Sequence, residues 1–194
     1  MKTCLALVLA LTSTAFAGDA AKAKPKTAPV KVDLADGTGK AIGTATLTAS
    51  SKGVSIKLDV HDLAPGEHAI HVHATPKCDG PDFKSAGGHF NPDNKKHGMK
   101  AEGGAHAGDM PNFTVGKDGK SKATVVAPGV TLGDDAHSVF TGEGTALVIH
   151  AKADDMKTDP AGNAGDRIAC GVIGKPAAPA ATGTGAGSGS AAKK

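Results

Sequence analysis

The chain has no tryptophan and no tyrosine, and only 5 of its 194 residues are phenylalanine. Nucleic-acid grooves stack bases on aromatic side chains set among cations. This chain has no such interleaving, which argues against a nucleic-acid partner. The same scarcity leaves Val, Ile, Leu, Ala and Phe to form a core among 27 glycines. Arginine is nearly missing: Arg167 is the only one, and lysine supplies every other cation. Cysteine is sparse, with 3 residues at positions 4, 78 and 170. Beyond the N-terminus no run approaches the ~20 apolar residues of a membrane span, and no stretch has a convincing helical period.

Residues 1–17, MKTCLALVLALTSTAFA, have a positive start, an apolar run and a small-x-small end at Ala15-Phe16-Ala17. That is the pattern of a secretory signal peptide cut after Ala17. The run is too short for a transmembrane helix, so no membrane insertion is expected after cleavage. Cys4 lies at the front of the run, whereas a lipid-modified cysteine would follow it. Cleavage leaves Cys78 and Cys170, an even pair in an exported, oxidising setting. A bridge and two separate buried thiols both fit that pair. Residues 18–30 are rich in Ala and Lys and read as a flexible arm. Residues 175–194 are rich in Ala, Gly and Pro and read as a disordered tail. Between Val32 and Gly174 there are 14 Lys and Arg against 18 Asp and Glu, a net of −4. The basic balance therefore lies in the ends, where a solubilising role suffices.

The middle of the chain reads as antiparallel β. Val54, Ile56, Leu58 and Val60 alternate with Ser55, Lys57 and Asp59, the period of a half-buried strand. Further strands are expected at 30–34, 41–48, 68–73, 112–116, 120–126, 145–150 and 168–173. The Lys117-Asp118-Gly119 stretch is a hairpin signal.

Five of the nine histidines fall between His71 and His106, and Asp109 follows them. Imidazole is the commonest protein ligand for copper and zinc. His71 and His73 are an i, i+2 pair, which puts both rings on one face of a strand. His89, His97, His106 and Asp109 are spread over a Gly-, Asn- and Lys-rich segment with loop chemistry. A strand pair plus a loop cluster points to two metal sites.

The strings HVH, SAGGHFNP, KHG, HAGD, LVIHAKADD and GNAGDRIACGVIG occur in this order from residue 71 to residue 174. They resemble the copper-zinc superoxide dismutase family, and the likeness covers roughly residues 31–174. It implies a flattened eight-stranded antiparallel Greek-key barrel, an immunoglobulin-like sandwich with long metal-binding loops. It implies copper on His71, His73, His89 and His150, and zinc on His89, His97, His106 and Asp109. His89 would bridge the two ions through its two ring nitrogens. Asp154 would bond His71 and His97 from behind, and Cys78 would be joined to Cys170. Arg167 would attract the substrate. His68 matches a position used for backbone hydrogen bonding; His61 and His137 are assigned no role.

The implied activity is dismutation of superoxide to dioxygen and hydrogen peroxide by copper redox cycling, with a structural zinc. The alternative is a copper-binding or carrier protein on the same fold without turnover. A secreted zinc hydrolase would need an open zinc position, and a shell of three imidazoles and a carboxylate is closed. Compared with the animal cytosolic form, Cys78 lies close to His73 and far from His89, and the segment from His150 to Arg167 is short. Lys152 and Lys157 are the candidates for guiding charges in that segment, although both also read as plain solvated lysines, the favoured reading. Export and loop lengths resemble the bacterial periplasmic branch. The expected form is a monomer or a homodimer.

Overall fold

Alternation of side chains builds the frame. In β3 (Gly53–Val60), Val54, Ile56, Leu58 and Val60 are buried while Lys57 and Asp59 face solvent. In the computed structural model, which describes residues 28–175, β3 pairs antiparallel with β2 (Ala41–Ser50) and with β7 (Thr124–Ala127). β2 pairs with β1 (Val30–Asp36), and β1 with β9 (Arg167–Ile173). β9 pairs with β8 (Thr145–His150), and β8 with β5 (Ile70–His73). The resulting seven-stranded sheet has the order β5-β8-β9-β1-β2-β3-β7. β4 (Gly66–His68) and β6 (Phe113–Val115) form a second, two-stranded pair. The sheet curls around one core. Leu34, Leu47, Ile56, Leu58, Phe113, Leu147 and Ile173, drawn from both sheets, belong to a single buried cluster. Each such side chain contributes roughly 1.5–3 kcal/mol on burial.

The fold is thus the expected curled, all-β antiparallel barrel, with two local differences. The strand expected over 68–73 is broken at Ala69. Its N–H donates to Lys152 O at 2.8 Å and its carbonyl accepts from His150 N at 2.9 Å. These bonds divert it, so β4 goes to β6 and β5 to β8. Eight expected strands therefore appear as nine. The turn at 117–119 does form, with Gly119 N donating to Gly116 O at 2.9 Å and Gly116 N to Lys120 O at 2.8 Å. Its flanking strands are not partners, because β6 pairs with β4 and β7 with β3. Turn chemistry specified the reversal but not the pairing.

Two long connections cover the outer face of β5 and β8. One runs from β5 to β6 and holds a single 3-10 turn at Lys84–Ala86; the other runs from β8 to β9. Phe83, Ala86, Ala146, Val148 and Cys170 make a small second core beneath them, with Cys78 against it. Cys78 and Cys170 are joined by a disulfide with a Cα–Cα distance of 5.6 Å. It ties the first connection to the strand that carries Arg167. The signal peptide expected at 1–17, most of the arm at 18–30 and nearly all of the tail at 175–194 lie outside the described residues. Val30, where the arm and the strand expected over 30–34 meet, is the buried first residue of β1.

Candidate metal centre

β5 places His71 and His73 on one face, as the two-residue period of a strand demands. β8 runs antiparallel beside it and ends at His150. His89 arrives from the first connection through a bridge contact with His73. One nitrogen from each of His71, His73, His89 and His150 can be chosen so that all lie within 4.8 Å of one another. His73 Nε2 and His150 Nε2 are 3.4 Å apart. The rings stand on the outer face of the sheet, yet all four are buried, because the two connections close over them.

A second set shares His89. Asp109 Oδ1 lies 2.9 Å from His89 Nδ1, 3.1 Å from His97 Nδ1 and 3.4 Å from His106 Nδ1. His106 Nδ1 and His89 Nδ1 are also 3.4 Å apart. Ligands at zinc's usual distance of about 2.0–2.1 Å, placed tetrahedrally, are separated by about 3.3 Å. The observed spacings are close to the edges of that tetrahedron.

The remaining nitrogens orient the rings. Asp154 Oδ2 accepts from His71 Nε2 at 2.9 Å and Oδ1 accepts from His97 Nε2 at 3.0 Å. His73 Nδ1 donates to Gly87 O at 2.9 Å, and His150 Nδ1 reaches Gly165 O at 3.4 Å. Each of these four imidazoles has one nitrogen turned to an oxygen acceptor, which leaves the other with its lone pair free for a cation. His89 differs: its Nδ1 belongs to the Asp109 set and its Nε2 to the His71 set. It alone offers both nitrogens to the centre. Three buried nitrogens, His71 Nδ1, His89 Nε2 and His97 Nδ1, have no hydrogen-bond partner. Orphaned buried groups are costly, and a metal ion at each set would satisfy them. The residues fit one cation on four imidazoles and another on three imidazoles and a carboxylate.

Electrostatics agree with that reading at the His71 set. Burial holds the imidazole of His73 down to about 2, and those of His89 and His150 down to about 4. His71 is also lowered by burial. These rings are therefore neutral, as a ligand must be. Burial opposes charge at His97 too, but the carboxylates of Asp109 and Asp154 prevail and raise it to about 9. Both carboxylates are held well below their usual range, because their contacts with His89, His97 and His71 outweigh burial.

One opening, lined by His89, His106, His150, Ala161 and Arg167, leads to the His71 set. Arg167, half-buried, donates from Nη1 to Phe83 O at 2.8 Å. Lys84 shares a shallow cavity with Arg167, and its Nζ is 2.6 Å from Asp82 Oδ2. Neither Lys152 nor Lys157 lines either cavity. His68 lies apart from both metal sets, with Nδ1 2.7 Å from His150 O and Nε2 2.8 Å from Ala64 O.

Fold and centre together define a β-barrel metalloprotein with two adjoining sites that share one imidazole. The sequence profile of the family described as Copper/zinc superoxide dismutase (SODC) matches residues 41–173. The chain is 52% identical over 143 residues to "Superoxide dismutase [Cu-Zn] 1" of Aquifex aeolicus, covering 73% of this chain and 85% of the relative. The solved Cu/Zn superoxide dismutase from Brucella abortus is similar at a TM-score of 0.64 and 32% identity, with 75% of this chain and 99% of that one covered. A SOD-like protein from Bacillus subtilis is similar at a TM-score of 0.71 and 40% identity, with 73% and 96% covered. The chain belongs to the copper/zinc superoxide dismutase family.

All the sequence-derived ligand candidates come together in these two sets, and Asp154 lies behind both. Sequence reading missed Phe83, Gly87 and Gly165, which act through backbone carbonyls that no residue type announces. It also missed Gly162. This residue has φ +65°, and a Cβ on it would meet Asp154 Oδ1 at 1.7 Å and His97 Nε2 at 2.7 Å. Its position in the GNAG string was the one available signal.

Proposed function

We propose that the protein dismutates superoxide, converting two superoxide anions and two protons to dioxygen and hydrogen peroxide. Copper is assigned to His71, His73, His89 and His150, and zinc to His89, His97, His106 and Asp109. The observation that carries this reading is the double use of His89, whose two nitrogens face two different ligand sets. Copper held there would supply the one-electron redox chemistry that the reaction needs. Zinc has no redox change, and its set of four is closed, which suits it to holding the loop.

The chain's own residues do the rest. Arg167 stands at the opening with a guanidinium that stays cationic and offers several donors in a fixed fork. It attracts and orients an anion that has little else to be recognised by. Its hold on Phe83 O keeps the fork aimed. His89 Nε2 is the one ligand nitrogen that can carry a proton while the ring stays anchored at Nδ1, so it can deliver that proton to the departing peroxide. Burial keeps His73 and His150 neutral, and Gly87 O and Gly165 O fix their rings.

The signal-like residues 1–17 and relatives in bacteria such as Escherichia coli support an exported, periplasmic location. A monomer or a homodimer is compatible with the chain.

Superoxide consumption measured together with metal content tests the proposal. One copper and one zinc per chain are expected. His97→Ala should lose mainly zinc, and His150→Ala mainly copper and activity. Equal loss of both metals from each variant would defeat the two-site assignment. Full copper binding without superoxide consumption would instead favour a copper carrier.

A further inference from the structure

The two ligand sets face two openings of different lining, with His106 at the edge of both. The copper set is reached through the mouth that holds Arg167, and Asp109 does not line that mouth. A different groove, about 1090 Å³ in volume, lies between the first connection, the β2–β3 turn and the segment after β7. His106 and Asp109 line it, whereas His71, His73 and His150 do not. Within the second set the exposed edge is His106, with 10% of its side chain open against 3% for His89 and 0% for His97 and Asp109.

Charge separates the two openings further. The mouth sets the Arg167 guanidinium beside His89, His106 and His150, so a cation there faces a fixed positive charge. The groove instead sets Asp93, Asp135, Lys95 and His137 beside His106 and Asp109, with carboxylates in excess of lysine. Asp93 and Lys95 pair on the wall at 3.2 Å, and His137 Nε2 lies 3.1 Å from both oxygens of Asp93. The floor is held close by Gly129, where a Cβ would lie 2.6 Å from Ala107 Cα.

We infer that zinc reaches its site through this groove, while copper loads through the Arg167 mouth. The inference rests on the assignment of zinc to the His106 set. It makes the groove an access route whose charge sets the rate of zinc uptake and leaves the final affinity alone. Two exposed residues of the groove allow that charge to be changed without touching a ligand. Ser51 lies on the β2–β3 turn and Lys95 on the facing wall. Fields of this kind act on association rate and fade with ionic strength.

The test uses the full chain stripped of metal, with Co²⁺ as a probe whose visible absorption reports a filled tetrahedral site. Lys95→Glu should speed Co²⁺ uptake and Ser51→Lys should slow it, each by about two- to fivefold at low salt. High salt should erase the difference, and the final spectrum should be the same in every variant. Cu²⁺ uptake by chains already loaded with zinc should be unaffected by either substitution. Lys84→Glu, in the shallow cavity that adjoins the mouth at Arg167, should leave the Co²⁺ rate unchanged. Unchanged Co²⁺ rates in both groove variants would overturn the route, as would a Co²⁺ rate that follows Lys84→Glu instead. If the unsubstituted chain gives no tetrahedral spectrum, the zinc assignment itself falls and the route with it.

Discussion

Gly162 stands so close to Asp154 that a methyl group on it would lie 1.7 Å from the carboxylate Oδ1. That oxygen is the acceptor for His97 Nε2, and its twin is the acceptor for His71 Nε2. Even alanine at 162 must push the carboxylate off one ring or both, and its φ of +65° adds backbone strain. Gly162→Ala should therefore weaken both metals together, by about 10- to 100-fold in affinity. Competition against a chelator measures this. Binding as tight as in the parent would show that Asp154 does not position the ligands.

Arg167→Ile should leave copper and zinc bound and cut turnover more than tenfold. Raising ionic strength should slow the native protein more than the variant, because the guanidinium contributes to the field that draws the anion in. A variant with full activity and the native salt response would remove Arg167 from its role.

The disulfide closes a long loop, with Cys78 and Cys170 separated by 92 positions. Replacing both cysteines with serine should lower the stability of the metal-loaded protein by about 2–5 kcal/mol, read from denaturant unfolding. Phe83 lies in the same small core as Cys170, and its carbonyl holds Arg167. Activity should fall as well, by more than the loss of folded protein explains. Unchanged activity per folded molecule would separate the bridge from the arginine.

The metal-free protein should be most stable near pH 6.5, the ordinary value for histidine. His89 and His150 are pushed down to about 4 when folded, so below pH 6.5 the unfolded chain binds protons that the native one refuses. Their contribution is complete above pH 6.5 and is lost progressively down to pH 4. His97 runs the other way: it is raised to about 9, so its contribution is complete below pH 6.5 and is lost as pH rises through 9. Thermal midpoints recorded from pH 4 to 9 should pass through a maximum. A monotonic trend would contradict the opposed environments of these rings.

The candidate ligands were legible in the sequence because metal chemistry needs particular side chains, and a strand pair such as His71 and His73 shows its face by spacing alone. β3 was legible for the same reason, since Val54, Ile56, Leu58 and Val60 alternate with polar residues. What could not be read depends on contacts distant in the chain. Ala69 breaks its strand because of Lys152 and His150, some eighty positions away. The turn at 117–119 is a local feature, but β6 and β7 find their partners across the fold. The acceptors that aim His73, His150 and Arg167 are main-chain carbonyls, which every residue has. The burial of His71 and His73 follows from the covering connections and not from their own strand.

Asp154 touches one ring of each metal set and no ring of its own connection. That arrangement makes the two sites partners in a single equilibrium. An ion that fixes His97 also fixes the carboxylate that steadies His71, so a second ion meets a ring already ordered. Whatever factor zinc adds to the affinity for copper, copper must return to zinc, because a coupling free energy has the same value from either side. Such coupling makes the half-loaded chain scarcer than two independent sites would, and shifts metal content toward empty and full.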